Sequence, residues 1–142
     1  MTFFVKLLFM KKLIYSEYFE KVNLERDHFW KQLLVKVSSI SSKSSDVKGV
    51  NEVQQIIAEL CLKMGLTTEL IKNQLEESGD LLIAQTKGDY SKYITLICHS
   101  DTVFELNAQR PIYEDSGKLF GPGVIDDKGG MVVALRSLYM AM

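Results

Sequence analysis

Apolar positions recur at helical spacing in two segments of the first half of the chain. Residues 16–37 and residues 46–64 each have an apolar stripe with this period, and both are predicted to be helices. Gly65 stands where a helix is expected to end in a left-handed residue. Between the helices, six of the eight residues 38–45 are serine, which is typical of a loop whose last members cap the next helix.

Beyond Gly65 the pattern changes to that of strands. Residues 67–75, 81–87 and 92–98 are predicted strands, and the near-continuous apolar third run is typical of a central strand covered on both faces. A short hairpin is predicted at residues 113–120 and a final helix at residues 129–142. Helices, then strands, then a helix predict an α/β fold.

The two ends of the chain need separate interpretations. Residues 1–15 are apolar but broken by three lysines, and they match neither a membrane span nor a signal peptide. We therefore expect an N-terminal extension on a cytoplasmic protein, with Met10 as an alternative start. Because Met142 falls inside a helical pattern with no terminating residue, we expect residues 16–142 to be an incomplete domain.

Composition narrows the class of protein. The 142 residues carry 17 Lys and Arg against 18 Asp and Glu, and 46% are hydrophobic. A disordered chain would be poorer in apolar residues, and a nucleic-acid binder would have excess positive charge. The two cysteines, Cys61 and Cys98, are too few for a disulfide framework and are predicted to be reduced core thiols.

A histidine and an aspartate follow directly on the third predicted strand. His99 and Asp101 are two positions apart in an extended segment, so their side chains project to the same side. They lie at the carboxyl end of the strand, where open α/β sheets bind ligands. A carboxylate beside an imidazole is typical of a metal site, because it fixes the tautomer of the ring. Alone, the pair is a weak signal, and a histidine that is merely hydrogen-bonded at a strand end is the more common case.

A glycine-rich block with two adjacent aspartates precedes the last predicted helix. Residues 121–130 (GPGVIDDKGG) contain four glycines around Asp126 and Asp127. The block lacks the Gly-Lys-Ser/Thr of a phosphate-binding loop, and Asp126 stands where the dinucleotide fingerprint needs its third glycine. Carboxylates at a tight turn suit a metal cation better.

Taken together, the two blocks resemble a known family. Residues 99–103 (HSDTV), followed after about twenty residues by the GPGVIDDKGG block, are similar to the M20 family of zinc metallopeptidases, in particular its glutamate carboxypeptidase branch. The likeness extends from about residue 33 to the end. It implies the N-terminal part of a zinc-peptidase-like, three-layer α/β/α catalytic domain with a mixed sheet.

The resemblance also implies roles for individual residues. His99 matches a zinc ligand, Asp101 the carboxylate that orients this histidine, and Asp126 the aspartate that bridges two zinc ions. It further implies a cis peptide bond between Asp126 and Asp127. The remaining motif residues are expected to shape the turn and start the helix: Gly121, Gly123, Asp127, Lys128, Gly129 and Gly130.

The implied activity is hydrolysis of an amide bond next to a C-terminal residue, glutamate among them, in a peptide or N-acyl amino acid. Two zinc ions would activate the water, although the ligand types also allow cobalt or manganese.

Residues 131–142 contain no His, Asp or Glu, so the family's Glu-Glu pair, further ligands and lid or dimerisation domain are missing. We therefore expect the chain alone to be inactive without a complementary C-terminal fragment, and we expect no nucleic-acid or membrane partner. The alternative is a stand-alone, non-catalytic module that binds metal or another protein.

Overall fold

The computed structural model describes residues 2–7, 24–75, 77–88, 93–104 and 111–142. These residues form three helices and six strands. In chain order they are β1 (Thr2–Leu7), α1 (Leu24–Ser39), α2 (Val47–Lys63), β2 (Thr67–Ile71), β3 (Leu81–Gln85), β4 (Ile94–His99), β5 (Tyr113–Asp115), β6 (Lys118–Phe120) and α3 (Lys128–Ala141).

Four of the strands form one mixed sheet in the order β2-β3-β1-β4. β1 runs parallel to β3, whereas the β1–β4 and β2–β3 pairs are antiparallel. β5 and β6 form a separate antiparallel hairpin, as predicted. The α/β class and the mixed sheet are therefore confirmed.

Part of the N-terminal segment forms a strand of the sheet, whereas the sequence predicts an extension that precedes the domain. β1 is an inner strand, and its backbone pairs Thr2 with His99 and Leu7 with Ile94. Its sequence, TFFVKL, is rich in the aromatic and β-branched residues that favour strands. At least residues 2–7 of the predicted extension thus belong to the α/β fold, whereas residues 8–23, including the first part of the predicted first helix, lie outside the described residues.

The core lies between the three helices and one face of the sheet. α1, α2 and α3 contribute residues such as Val37, Ile57 and Leu135, which pack with Leu82 of β3 and Cys98 of β4. Both cysteines are free and buried, which confirms the prediction for them.

The opposite face of the sheet has no helix on it within the described residues. Ile97 on that face of β4 is 61% exposed, and β4 lies at the edge of the described sheet. Two layers, the sheet and the helices on one face, are therefore seen among the described residues, which is consistent with part of the expected three-layer domain. β4 differs from the expected central strand covered on both faces. An apolar run shows that a strand prefers burial but does not show which neighbours cover it.

Local signals explain where the helices begin and end. The Asp46 side chain caps α2 by accepting a hydrogen bond from the Gly49 amide at 3.1 Å. Gly65, with φ of 85°, follows the end of α2 in the predicted left-handed conformation.

Two further properties of the helices bear on function. His28 lies exposed on α1. In the part of the chain that the structure describes, no helix is long and apolar enough to cross a membrane.

Candidate metal centre

The structure brings the three residues predicted to carry the chemistry to one place. His99, the last residue of β4, has its Nε2 atom 3.0 Å from Oδ1 of Asp126. Its Nδ1 atom lies 3.1 Å from the backbone oxygen of Asp101 and 3.3 Å from Oδ1 of the same residue. The imidazole therefore lies between two aspartates, one at each ring nitrogen.

The glycine-rich turn places Asp126 opposite His99. Gly123 has φ of 74°, a left-handed conformation that residues with a Cβ rarely adopt. The peptide bond between Asp126 and Asp127 is cis, as predicted. Asp127 is the N-cap residue of α3, and its Oδ2 accepts a hydrogen bond from the His99 amide at 3.2 Å. Asp127 thus attaches the turn to the end of β4.

The other glycines of the turn are placed where the backbone is crowded. At Gly129, in the first turn of α3, a Cβ atom would collide with the carbonyl oxygen of Val124. At Gly130 it would collide with the Asp127 carboxylate, and at Gly121 with the side chain of Ile112. A side chain at any of these three positions would therefore force the turn to shift.

Lys128 attaches the same turn to the first helix. Its side chain is fully buried, and Nζ donates to the backbone oxygens of Val37 at 2.8 Å and Ile40 at 3.0 Å. Burial lowers the pKa of Lys128 to about 8, although the negative charge of Asp101 opposes this shift. A positive charge at the carboxyl end of a helix also matches the helix dipole.

Sequence reasoning missed the part that the serine loop plays at the site. The Ser44 hydroxyl donates to Oδ2 of Asp101 at 2.5 Å, and the buried Ser42 hydroxyl donates to the Ser100 backbone oxygen at 3.0 Å. Gln54 of α2 also donates to the Ser100 hydroxyl at 3.0 Å. The composition of the loop indicated a helix cap, but no sequence pattern connects it with residues 57 positions away.

The site opens into a pocket of about 340 Å³. The Asp126 side chain is 86% exposed, that of His99 is 39% exposed and that of Asp101 is only 14% exposed. Apolar side chains form part of the rim, and Val103 and Ile125 are 84% and 90% exposed. The pocket therefore presents His99 and Asp126 to a ligand, with Asp101 behind them.

The charges around His99 favour its protonated form when no metal is bound. Burial lowers the pKa of His99, but the hydrogen bond with Asp126 and the negative charges of Asp101 and Asp127 outweigh it, so the pKa is raised. For Asp101, burial raises the pKa, yet hydrogen bonds, led by the one from Ser44, lower it overall. Asp101 is thus held as an anion beside the ring.

The donor atoms fit a zinc ion in type and spacing. Imidazole nitrogen and carboxylate oxygen are both common zinc ligands, and two ligands of a tetrahedral zinc ion lie about 3.3 Å apart, close to the separation of Nε2 and Oδ1 here. Catalytic zinc usually takes three protein ligands. Among the residues that the structure describes, no group of three or more His, Cys, Asp or Glu side chains is arranged to hold a metal ion. The site therefore offers two donors to one ion.

A comparison with known proteins finds a relative that is a carboxypeptidase. The chain is 30% identical over 107 residues to carboxypeptidase G2 of Pseudomonas sp. (strain RS-16), a match that covers 74% of this chain and 26% of the relative. This supports a carboxypeptidase G2-like relationship, in which the chain spans about a quarter of the relative's length. No protein-family model matches the chain.

Proposed function

We propose that the chain supplies one part of the active site of a zinc-dependent hydrolase of the carboxypeptidase G2 type, a member of the M20 family of metallopeptidases. The observation that carries the proposal is the 3.0 Å approach of His99 Nε2 to Asp126 Oδ1 in the lining of the pocket. The similarity to carboxypeptidase G2 supports it independently.

Each residue has a definite part in this proposal. His99 and Asp126 hold the metal, and Asp101 accepts the Nδ1 proton so that Nε2 carries the lone pair toward the ion. When bound, zinc lowers the pKa of a water molecule and polarises the carbonyl of the substrate. Asp127, Lys128 and the glycines of the turn keep Asp126 opposite His99.

The relative and the pocket support a proposal for the substrate class. We propose a peptide or N-acyl amino acid whose C-terminal residue is released, with glutamate as the leading candidate. The exposed apolar side chains of Val103 and Ile125 beside the metal donors provide a surface for an apolar part of such a molecule. Localisation of the protein to the cytoplasm stays a prediction from the N-terminal sequence.

The two donors found among the described residues are too few for a tightly held zinc pair. We propose that a complementary chain, corresponding to the later part of carboxypeptidase G2, supplies the remaining ligands and the general base. The 142-residue chain alone is then expected to bind zinc weakly and to hydrolyse no amide.

Zinc binding tests the proposal directly. The chain is titrated with Zn²⁺ by calorimetry, alongside the isosteric variant Asp126→Asn and the control Asp115→Asn in the exposed β5–β6 hairpin. We expect Asp126→Asn to weaken zinc binding at least about 10-fold, the lower end of what disturbing a metal site costs, and the control to leave it unchanged.

Hydrolysis is measured on the same samples with an N-acylglutamate. Equal zinc affinity in the parent chain and Asp126→Asn would refute the metal centre. Zinc-dependent turnover by the parent chain, lost in Asp126→Asn, would instead support the hydrolase and refute the need for a complementary chain.

A further inference from the structure

The outer edge of β4, the side that faces away from β1, carries backbone groups that are available for pairing. Within the part of the chain that the structure describes, β4 pairs with β1 on one side and with no strand on the other. The His99 amide donates to the Asp127 carboxylate of the turn and not to β1. Because the residues of a strand direct their backbone groups to its two edges alternately, Thr95 and Ile97 face the same outer edge as His99.

The sequence of β4 has none of the features that protect a sheet edge from another chain. Edge strands of natural proteins carry charged residues, proline or bulges for this purpose. Residues Ile94–His99 (ITLICH) include no Lys, Arg, Asp, Glu or Pro, and their register with β1 runs without a bulge. The apolar side chains of Ile94 and Ile97 are 42% and 61% exposed beside this edge. Such an edge favours pairing with a further strand.

The other edge of the sheet differs from β4 in its charge. β2 has the exposed Glu69 at its middle, and Lys72 follows the strand directly. If β2 paired with its own copy about the middle of the strand, the two Glu69 carboxylates would lie opposite each other, and like charges in that position are destabilising. β4 paired with its own copy brings no like charges together. The charge pattern therefore favours a closed pair of copies through β4, and it disfavours growth through β2.

The direction of the backbone groups selects one register for a symmetric pair. With β4 antiparallel to its copy and the two-fold axis at Leu96, Thr95 of each copy lies opposite Ile97 of the other. Each of these residues then donates one backbone hydrogen bond and accepts one. The pairing ends before His99, because Asp127 already accepts from its amide.

We propose that the outer edge of β4 is an interface through which two copies of this chain pair antiparallel, with the two-fold axis at Leu96. The inference goes beyond the proposed function and does not depend on a bound metal. Each His99 is three residues from the axis, so the two metal centres lie roughly 20 Å apart and neither copy completes the site of the other. Because the paired edge is short, we expect association to be reversible and to depend on concentration.

Sedimentation velocity of the full 142-residue chain, over a micromolar concentration series, measures the association. Two variants at one position form a matched pair. Ile97→Pro removes the outward amide, and Ile97→Thr keeps it together with a β-branched side chain. Proline is tolerated at such a position of an edge strand, because no hydrogen bond to the neighbouring strand is lost.

We expect the parent chain and Ile97→Thr to form a dimer. Ile97→Pro should associate at least about 10-fold more weakly, because the two-fold symmetry removes two hydrogen bonds at once. Equal dimerisation of the two variants would overturn the proposal. A parent chain that stays monomeric at every concentration would also overturn it and would leave the edge to the complementary chain.

Disulfide cross-linking tests the register, and it decides the matter if Ile97→Pro fails to fold. Two Leu96→Cys residues meet across the axis with Cα atoms about 4.5 Å apart, which a disulfide can span. Two Thr95→Cys residues lie diagonally, about 7–8 Å apart, which is too far. The parent chain is the blank, since Cys61 and Cys98 are buried. We expect mild oxidation to give a cross-linked dimer of Leu96→Cys only, and cross-linking of Thr95→Cys to the same extent or more would overturn the proposal.

Discussion

Lys128 is fully buried, although it lies in the glycine- and aspartate-rich segment 121–130. Lysine is almost never fully buried unless its charge is paired or hydrogen-bonded. Here the ammonium group donates to two backbone oxygens near the carboxyl end of α1, Val37 and Ile40. The residue at the start of α3 is therefore attached to the carboxyl end of α1, where its partner Val37 lies 91 positions earlier in the chain.

Replacing Lys128 with methionine tests this role, because methionine keeps much of the apolar stem and removes the donor. One buried and one partly buried carbonyl oxygen then lose their partner, and we expect a loss of about 1–3 kcal/mol in the free energy of unfolding. Urea denaturation measures it, with Lys118→Met at an exposed position of β6 expected to stay within about 0.5 kcal/mol of the parent. A Lys128→Met chain as stable as the parent would contradict the interpretation.

Single residues also show how far sequence reasoning reaches into the site. The spacing alone placed His99 and Asp101 at one site, and only the family resemblance placed Asp126 with them; the structure brings the three together. The contribution of Ser44 was not foreseen. It depends on a loop crossing the sheet end, and nothing in the local spacing of six serines specifies that contact.

At the scale of elements, periodicity predicted most of the fold. The bounds of α2 and β3 agree with the sequence prediction to within two residues, because both have clear apolar stripes and defined turn residues. β1 was not predicted, since residues 1–15 were compared only with membrane spans and signal peptides, matched neither, and were interpreted as an N-terminal extension. Pairing with β3 and β4 is a tertiary property that the segment's own pattern does not encode.

The N-terminus of α2 offers a test at the same scale. Asp46 accepts a hydrogen bond from the Gly49 amide, one of the donors that a helix start leaves without a partner. We expect Asp46→Ala to lower the free energy of unfolding by about 0.5–2 kcal/mol. Thermal unfolding would compare it with Asp46→Ser, which keeps a capping oxygen, and with Glu52→Ala on the exposed face of α2. Equal stability of the Ala and Ser variants would show that the cap contributes nothing.

At the scale of the whole molecule, one apolar core connects the helices to the sheet and ends beside the metal centre. Cys61 of α2 is fully buried in this core, and Cys98 of β4 lies at its border next to His99. Burial raises the pKa of Cys61 to about 12. For Cys98, burial raises the pKa to about 11, with the nearby Asp127 adding to the effect. Both thiols therefore stay protonated in the folded chain well above the pH at which they ionise when exposed.

This protonation makes the stability of the whole chain depend on alkaline pH. The unfolded chain loses the Cys61 proton near the ordinary pKa of 9.0, whereas the folded chain keeps it to about 12. Between these values the folded state binds more protons, so the free energy of unfolding falls as pH rises, by up to about 1.4 kcal/mol per pH unit for this thiol. Below pH 9 its contribution is unaffected.

Urea denaturation from about pH 8 to pH 11 measures this slope in the parent chain and in Cys61→Ala. The variant should be less stable at the lower pH, because a buried side chain is shortened, yet its stability should fall less steeply as the pH rises. Cys98 remains in both proteins, so the difference between the two slopes isolates Cys61. Parallel slopes would mean that the Cys61 thiolate is tolerated in the folded core, which would contradict the close packing of α2 against β2 and β3.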